Sequence, residues 1–232
     1  MPRALSEELV SLSKRANAPV PDFNLHTKNI KFFAIISYTI FLAIVLLTTR
    51  SYGEKSIVTD VSTLQLALCS SVSSIISVAV LRQKGSLTLY KGLIWIAIAF
   101  GCAYLAMDDA FMYHERLDRT IHSLLGWEET SLSDRIDDIL VGIYGVIGIA
   151  FIFLNRNYFS FSPRFIKYAK LSFSFCILMV FCDSKGFGLV DNLRPLLFHL
   201  EEWTKLLGGA CLLIALLCAL EDVLIAKKMQ LK

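Results

Sequence analysis

The sequence predicts an all-α polytopic membrane bundle of about six helices, with both termini on the cytoplasmic side. Three observations predict it. First, the 232 residues are 55% hydrophobic, with a mean hydropathy of +0.59, well above that of a soluble domain. Second, six apolar runs are long enough to cross a bilayer core about 30 Å thick, which takes about 20 residues each. Third, the basic residues are asymmetric. Segments 1–31, 82–91, 156–170 and 227–232 hold 15 of the 23 Lys and Arg, and the alternate ends hold 8. The positive-inside rule puts the richer set in the cytoplasm.

The elements follow in order. Residues 1–30 form a tail whose start, with Leu5, Leu9 and Leu12 on one face, fits a short amphipathic helix at the membrane surface. Pro19 and Pro21 set it apart from the first run. The tail has no short apolar core with a cleavage site, so no removable signal peptide is expected. The first run spans 32–49, between Lys31 and Arg50, and the second 61–81, before Arg82. The third runs from Lys91 to 111 and the fourth from 136 to 154, before Arg156. The fifth covers 166–184. The sixth ends near 226, before Lys227 and Lys228, and its helix can begin as early as Pro195. Residues 31–228 thus form one membrane domain, followed by a short tail at 229–232.

The acids need a separate explanation, because carboxylates contribute little to orientation. The non-cytoplasmic ends hold 15 of the 20 carboxylates, with His114, His122 and His199. Counting 20 residues from Lys91 puts Asp108 and Asp109 at the hydrocarbon edge. Counting from Arg156 and from residue 166 puts Asp137, Asp138 and Asp183 at the same depth. Glu201 and Glu202 fall just outside it, beside Lys205. Acids here are either solvated helix ends or groups that pair inside the bundle and mark a functional path.

The densest local signal is Leu105-Ala-Met-Asp108-Asp109-Ala-Phe-Met-Tyr-His114-Glu115, followed by Asp118 and His122. On one continuous helix Asp108 and Glu115 share a face, and His114, Asp118 and His122 form an i, i+4, i+8 stripe. Glu115 can also pair with Arg119 at i+4. Asp108 and Asp109 have no basic residue at i±3 or i±4. Their partners must come from another helix, with Lys205, Lys185, Arg135 and Arg194 as candidates. His199 and Glu202 have the i, i+3 spacing of metal-binding bundles, although Glu202 can equally pair with Lys205. Ser131 or Ser133 can cap the fourth helix, whose first turn favours Asp134 through the helix dipole. Glu221 and Asp222, near the end of the sixth helix, call for cations such as Lys167, Lys170 or Lys91. Gly142, Gly145, Gly148 and Gly208-Gly209 read as close helix contacts, and Ser70–Ser77 as interhelical hydrogen bonding.

The six cysteines lie in or beside apolar runs with no C-x-x-C spacing, so they read as packing thiols. P-loop, G-x-S-x-G, H-E-x-x-H and dinucleotide-binding motifs are all missing, which removes several enzyme classes. A net charge of +3 gives no reason to expect nucleic acid. The Asp108-Asp109-x4-His114-Glu115 run, with Glu201-Glu202-x-x-Lys205-x-x-Gly208, resembles patterns in uncharacterised bacterial multi-spanning membrane proteins. That resemblance implies a bacterial inner-membrane, multi-pass location and no assigned activity. The outer histidines also resemble those of the alkaline ceramidase and progestin-receptor-like superfamily, but the chain has one span fewer and no late H-x-x-x-H.

Three functions fit. The first is a metal-binding protein or metal-dependent membrane enzyme. His114, Asp118, His122, His199 and Glu202 would hold a divalent ion such as Zn, Mn or Fe. Asp108, Asp109, Glu115, Asp137 and Asp138 would serve as catalytic bases or orient the ligands. The second is a small cation- or proton-coupled transporter with the acids as its entry. The third is a non-catalytic assembly or scaffold subunit. Expected partners are the lipid bilayer and either a second copy of the chain or a membrane complex.

Overall fold

The computed structural model describes residues 38, 40, 44, 57–83, 88–126, 136–183 and 194–230, without the side chains at 136–138, 183, 194–195 and 227–230. The chain divides into two compact units, residues 1–47 and 48–232. In the first, Tyr38, Ile40 and Ile44 are helical. The rest of the expected first span and the amphipathic tail lie outside the described residues. So do the Ser131/Ser133 cap, Asp134, Arg135 and Lys185.

In the second unit the described residues form seven helices and no strand. They are α1 (Ile57–Leu81), α2 (Thr88–Phe111), α3 (Tyr113–Leu125), α4 (Ile136–Leu154), α5 (Arg156–Phe159), α6 (Pro163–Asp183) and α7 (Arg194–Gln230). Among the described residues, α1, α2, α6 and α7 are long and apolar enough to cross a membrane. The chain is therefore an all-α helical membrane protein. Helix α4 has the bounds 136–154 expected from sequence, and its described apolar part is Ile139–Leu154.

Helix α1 packs mainly on α2 and α7, and α6 on α7, while α4 lies along α6. Close approach requires small residues where backbones meet. A Cβ on Gly92 would stand 2.5 Å from Leu81 Cδ2, and the Gly92 carbonyl accepts a 3.0 Å hydrogen bond from Ser77. Gly208 lies against Cys176 and the Ser172 carbonyl, and its own carbonyl accepts from Ser172 at 2.8 Å. Gly209 abuts Gln65, and Gly148 abuts Phe173. Gly142 and Gly145, expected to be contacts, face open space, because α4 is peripheral. The serines divide in the same way. Ser77 bonds across helices, whereas exposed Ser71 and Ser74 donate to their own i−4 carbonyls. Toward lipid there is no other acceptor, so the helix backbone takes the hydroxyl.

The end of the bundle where α2 and α6 begin is closed by aromatics. Trp95 is fully buried and donates from Nε1 to the Tyr158 hydroxyl at 2.6 Å. Its ring meets Phe159 and Phe165 edge-on, each at 5.6 Å. Burial pushes the Tyr158 phenol above its ordinary pKa, against the lowering effect of the Trp95 bond. Ser162-Pro163 starts α6 as sequence chemistry dictates: Ser162 Oγ accepts from the Phe165 amide at 3.3 Å, and proline sits at the first helical position. The same hydroxyl donates to Asp222 at 2.6 Å. Arg164 binds Glu221 at 3.0 Å and also binds Asp222. The acids near the end of α7 thus pair with Arg164, a cation not named among the candidates from sequence. The cap at Ser162 sets the register of α6 and turns Arg164 toward α7.

Candidate functional site

The other end of the bundle collects polar groups from α1, α2, α3 and α7. Its central fact is that the two adjacent aspartates on α2 point to different partners. They sit about 100° apart around the helix. Asp109 accepts from Lys205 Nζ of α7 at 2.6 Å through one oxygen. Its other oxygen accepts from Thr63 Oγ1 at 3.1 Å and from Ser62 Oγ, both on α1. One carboxylate thus ties three helices. Lys205 was among the expected cations. The hydroxyls of Ser62 and Thr63 were not anticipated, although they begin α1 at the depth where α2 ends.

Asp108 is 4% exposed and turns to the chain that follows it. Met112 adopts the left-handed conformation, with φ 54° and ψ 49°, and ends α2. The reversal brings α3 back over Asp108. Asp108 Oδ1 accepts the His114 backbone N–H at 3.0 Å, and Oδ2 meets His114 Nδ1 at 2.9 Å. A carboxylate at the start of a helix also suits the helix dipole. Asp108 and Glu115 therefore do not share a helix face, as a continuous helix would require, because Met112 separates them. Among the described residues the partner of Asp108 is His114 from α3; of the four cations considered from sequence only the side chain of Lys205 is described, and it binds Asp109. Facing an ionised carboxylate, which only accepts, Nδ1 would carry the proton. Nε2 lies 4.0 Å from Glu115 Oε1. Glu115 also stands 3.8 Å from Arg119, the expected i+4 neighbour.

A second Asp–His pair lies within α3. His122 Nδ1 is 3.1 Å from Asp118 Oδ1 and 3.0 Å from the Asp118 carbonyl oxygen. Both residues are buried. Among the described residues, His122 Nε2 is buried with no hydrogen-bond partner. Gly126, also left-handed, closes α3 by donating its N–H to the His122 carbonyl.

Of the remaining expected residues, His199 and Glu202 stand on α7, and Asp137 and Asp138 on α4. His199 is exposed on α7, and Glu202, three residues on, is buried. Lys205 is drawn to Asp109. Asp137 and Asp138 stand in the first turn of α4, with their side chains outside the described residues. Among the described residues, no group of three or more His, Cys, Asp or Glu side chains comes together as a metal site requires. What does converge is two Asp–His pairs and one Asp–Lys pair, a chemistry suited to moving protons and exchanging cations.

A family profile described as a domain of unknown function, DUF8692, matches residues 52–220. The chain belongs to that family. The match takes in α1 to α6 and most of α7, including every described residue of the polar end. No curated protein and no solved structure matches the chain.

Proposed function

We propose that this membrane protein is a small proton-coupled cation transporter with its entry at the α1–α2–α3–α7 end. The observation that carries this reading is the seating of Lys205 on Asp109 beside the Asp108–His114 pair. The ammonium of Lys205 occupies the place that a protonated amine or an alkali ion would take on the carboxylate. A solute cation that displaces it, or a proton on Asp109, loosens α2 from α7 while the hydroxyls of Ser62 and Thr63 keep α2 on α1. His114 next door adds an imidazole, a side chain able to take up and release a proton. Glu221 and Asp222, with Arg164, supply a polar exit at the opposite end. The lysine and arginine asymmetry supports cytoplasmic termini, and the resemblance at 105–115 supports a bacterial inner membrane.

The test is purified protein in leak-tight proteoliposomes under an imposed pH gradient, with sodium, potassium and methylammonium offered in turn. Cation addition should collapse the gradient with the wild type and not with Asp109→Asn. No coupled flux with any of the three sinks the reading.

A second reading, a divalent-metal site of Zn, Mn or Fe, is favoured by His122 alone. A carboxylate or backbone carbonyl on Nδ1 is the arrangement that presents an imidazole Nε2 to a metal, and among the described residues His122 Nε2 is buried without a partner. Elemental analysis of protein purified without chelator tests it. A stoichiometric metal that is lost in His122→Gln supports it, and none across several growth media removes it. A folded protein with neither flux nor metal is an assembly subunit, whose partner is a second copy or a membrane complex.

A further inference from the structure

Helix α3 is built inside out. A helix on a soluble protein buries its apolar stripe and exposes its charges. In α3 the buried residues are Asp118 and His122. Tyr113, Leu117 and Leu124 are exposed, Leu124 at 80%. At 100° per residue these three fall within about 40° of one another, roughly 140° from the Asp118–His122 face. Arg116, Arg119 and Ser123 are exposed on the flank. The helix starts directly after Met112, where spanning α2 ends, so its first residue stands at the edge of the hydrocarbon. Its 13 residues extend about 20 Å.

We infer that α3 is an interfacial helix that lies on the bilayer, with its Tyr113–Leu117–Leu124 stripe in the acyl region and Arg116 and Arg119 among anionic headgroup phosphates. Charge and depth select this occupant. Two exposed arginines beside an apolar stripe, at the level where α2 leaves the membrane, match the headgroup boundary: phosphates above, chains below. The arrangement also explains the polar underside. With the apolar face in lipid, the face turned to α2 and α4 is left for Asp118 and His122, whose Nδ1 meets the Asp118 carbonyl oxygen at 3.0 Å and its carboxylate at 3.1 Å. The inference stands apart from the transport reading, since it concerns the lipid contact and not the solute.

The experiment uses the full chain in nanodiscs, with its six cysteines replaced and the wild-type melting temperature retained. Nitroxide labels are placed singly through Leu117→Cys, Leu124→Cys, Arg119→Cys and Ser123→Cys. Oxygen, enriched in lipid, should relax the labels at 117 and 124 more than a water-soluble nickel chelate does, and the order should reverse at 119 and 123. In a separate measurement, Arg116→Gln/Arg119→Gln should lower the immobilised fraction of a spin-labelled anionic lipid and leave a zwitterionic one unchanged. Nickel dominance at 117 and 124 overturns the inference, because the stripe then faces water. Exclusion of both reagents there also overturns it, because the stripe then packs on protein. Loss of flux with the oxygen pattern intact would remove the transport reading and leave this one standing.

Discussion

At one end of the bundle Asp109 is held by a lysine from α7 and two hydroxyls from α1, and Asp108 by a histidine from α3. At the other end Arg164 reaches from α6 to Glu221 and Asp222, neighbours on one helix. The exposures differ as much as the topology does. The Asp108 and Asp109 side chains are 5% and 13% exposed, whereas that of Arg164 is 46% exposed. Aromatic packing around Trp95 fills the second end. Charge at the α1–α2–α3–α7 end is thus structural and chemically poised at once. At the Arg164 end it decorates a junction that the aromatics already hold.

Loss of Lys205 should give the largest effect. Lys205→Met leaves Asp109 with hydroxyl donors only, in a site that excludes most water, and breaking a buried pair from one side costs ~3 kcal/mol. Removing both charges, as Lys205→Met/Asp109→Leu, should recover most of that loss, because the uncompensated charge goes with its partner. Thermal unfolding in detergent measures both. Additive losses in the double variant would mean that the two residues do not act as a pair.

Asp108→Asn comes next. The amide keeps an acceptor for the His114 N–H and loses the charge that faces Nδ1. Charge-assisted bonds of this kind are worth about 1.5–3 kcal/mol. The sharper readout is the imidazole itself. Nitrogen NMR of labelled His114 should show protonated Nδ1 in the wild type and a mixed tautomer in the variant. An unchanged tautomer would mean that Asp108 only caps α3.

How much of this was legible depends on what each feature needs. Span positions follow from hydropathy, and the match of α1, α2 and α6 to the expected runs reflects a solvent that leaves the backbone no alternative. The need of Asp109 for a distant cation followed from the lack of a basic residue at i±3 or i±4, and Lys205 meets it. The Asp108–His114 pair was hidden, because it depends on a left-handed Met112. Methionine carries no turn signal, and glycine, asparagine or proline would have. The inverted face of α3 was hidden by the same break, since 105–122 reads as one helix. Arg164 was passed over for nearby lysines because side-chain direction follows from the Ser162 cap rather than from charge spacing. The glycines of α4 show the converse error. Their spacing suggests packing, but a peripheral helix offers them nothing to pack on.

At the Arg164 end the charges should matter less than the cap beside them. Ser162→Ala removes both the bond that starts α6 and the bond to Asp222, at a fully buried position. Losing an N-cap of this type costs ~1 kcal/mol. Arg164→Gln removes two ion pairs from a side chain that water reaches, and such pairs are worth about 1 kcal/mol or less. Glu221 and Asp222 then repel each other, but Asp222 keeps the Ser162 hydroxyl and Glu221 is partly solvated. Raising the salt should shrink the Arg164→Gln effect further and leave the Lys205→Met effect nearly unchanged, because screening acts on exposed charges and hardly on buried ones. Melting temperatures of both variants at low and high salt make the comparison direct. If Arg164→Gln costs as much as Lys205→Met at both ionic strengths, the two ends are equivalent clamps, and the case for a special role of the Asp109 end fails with them.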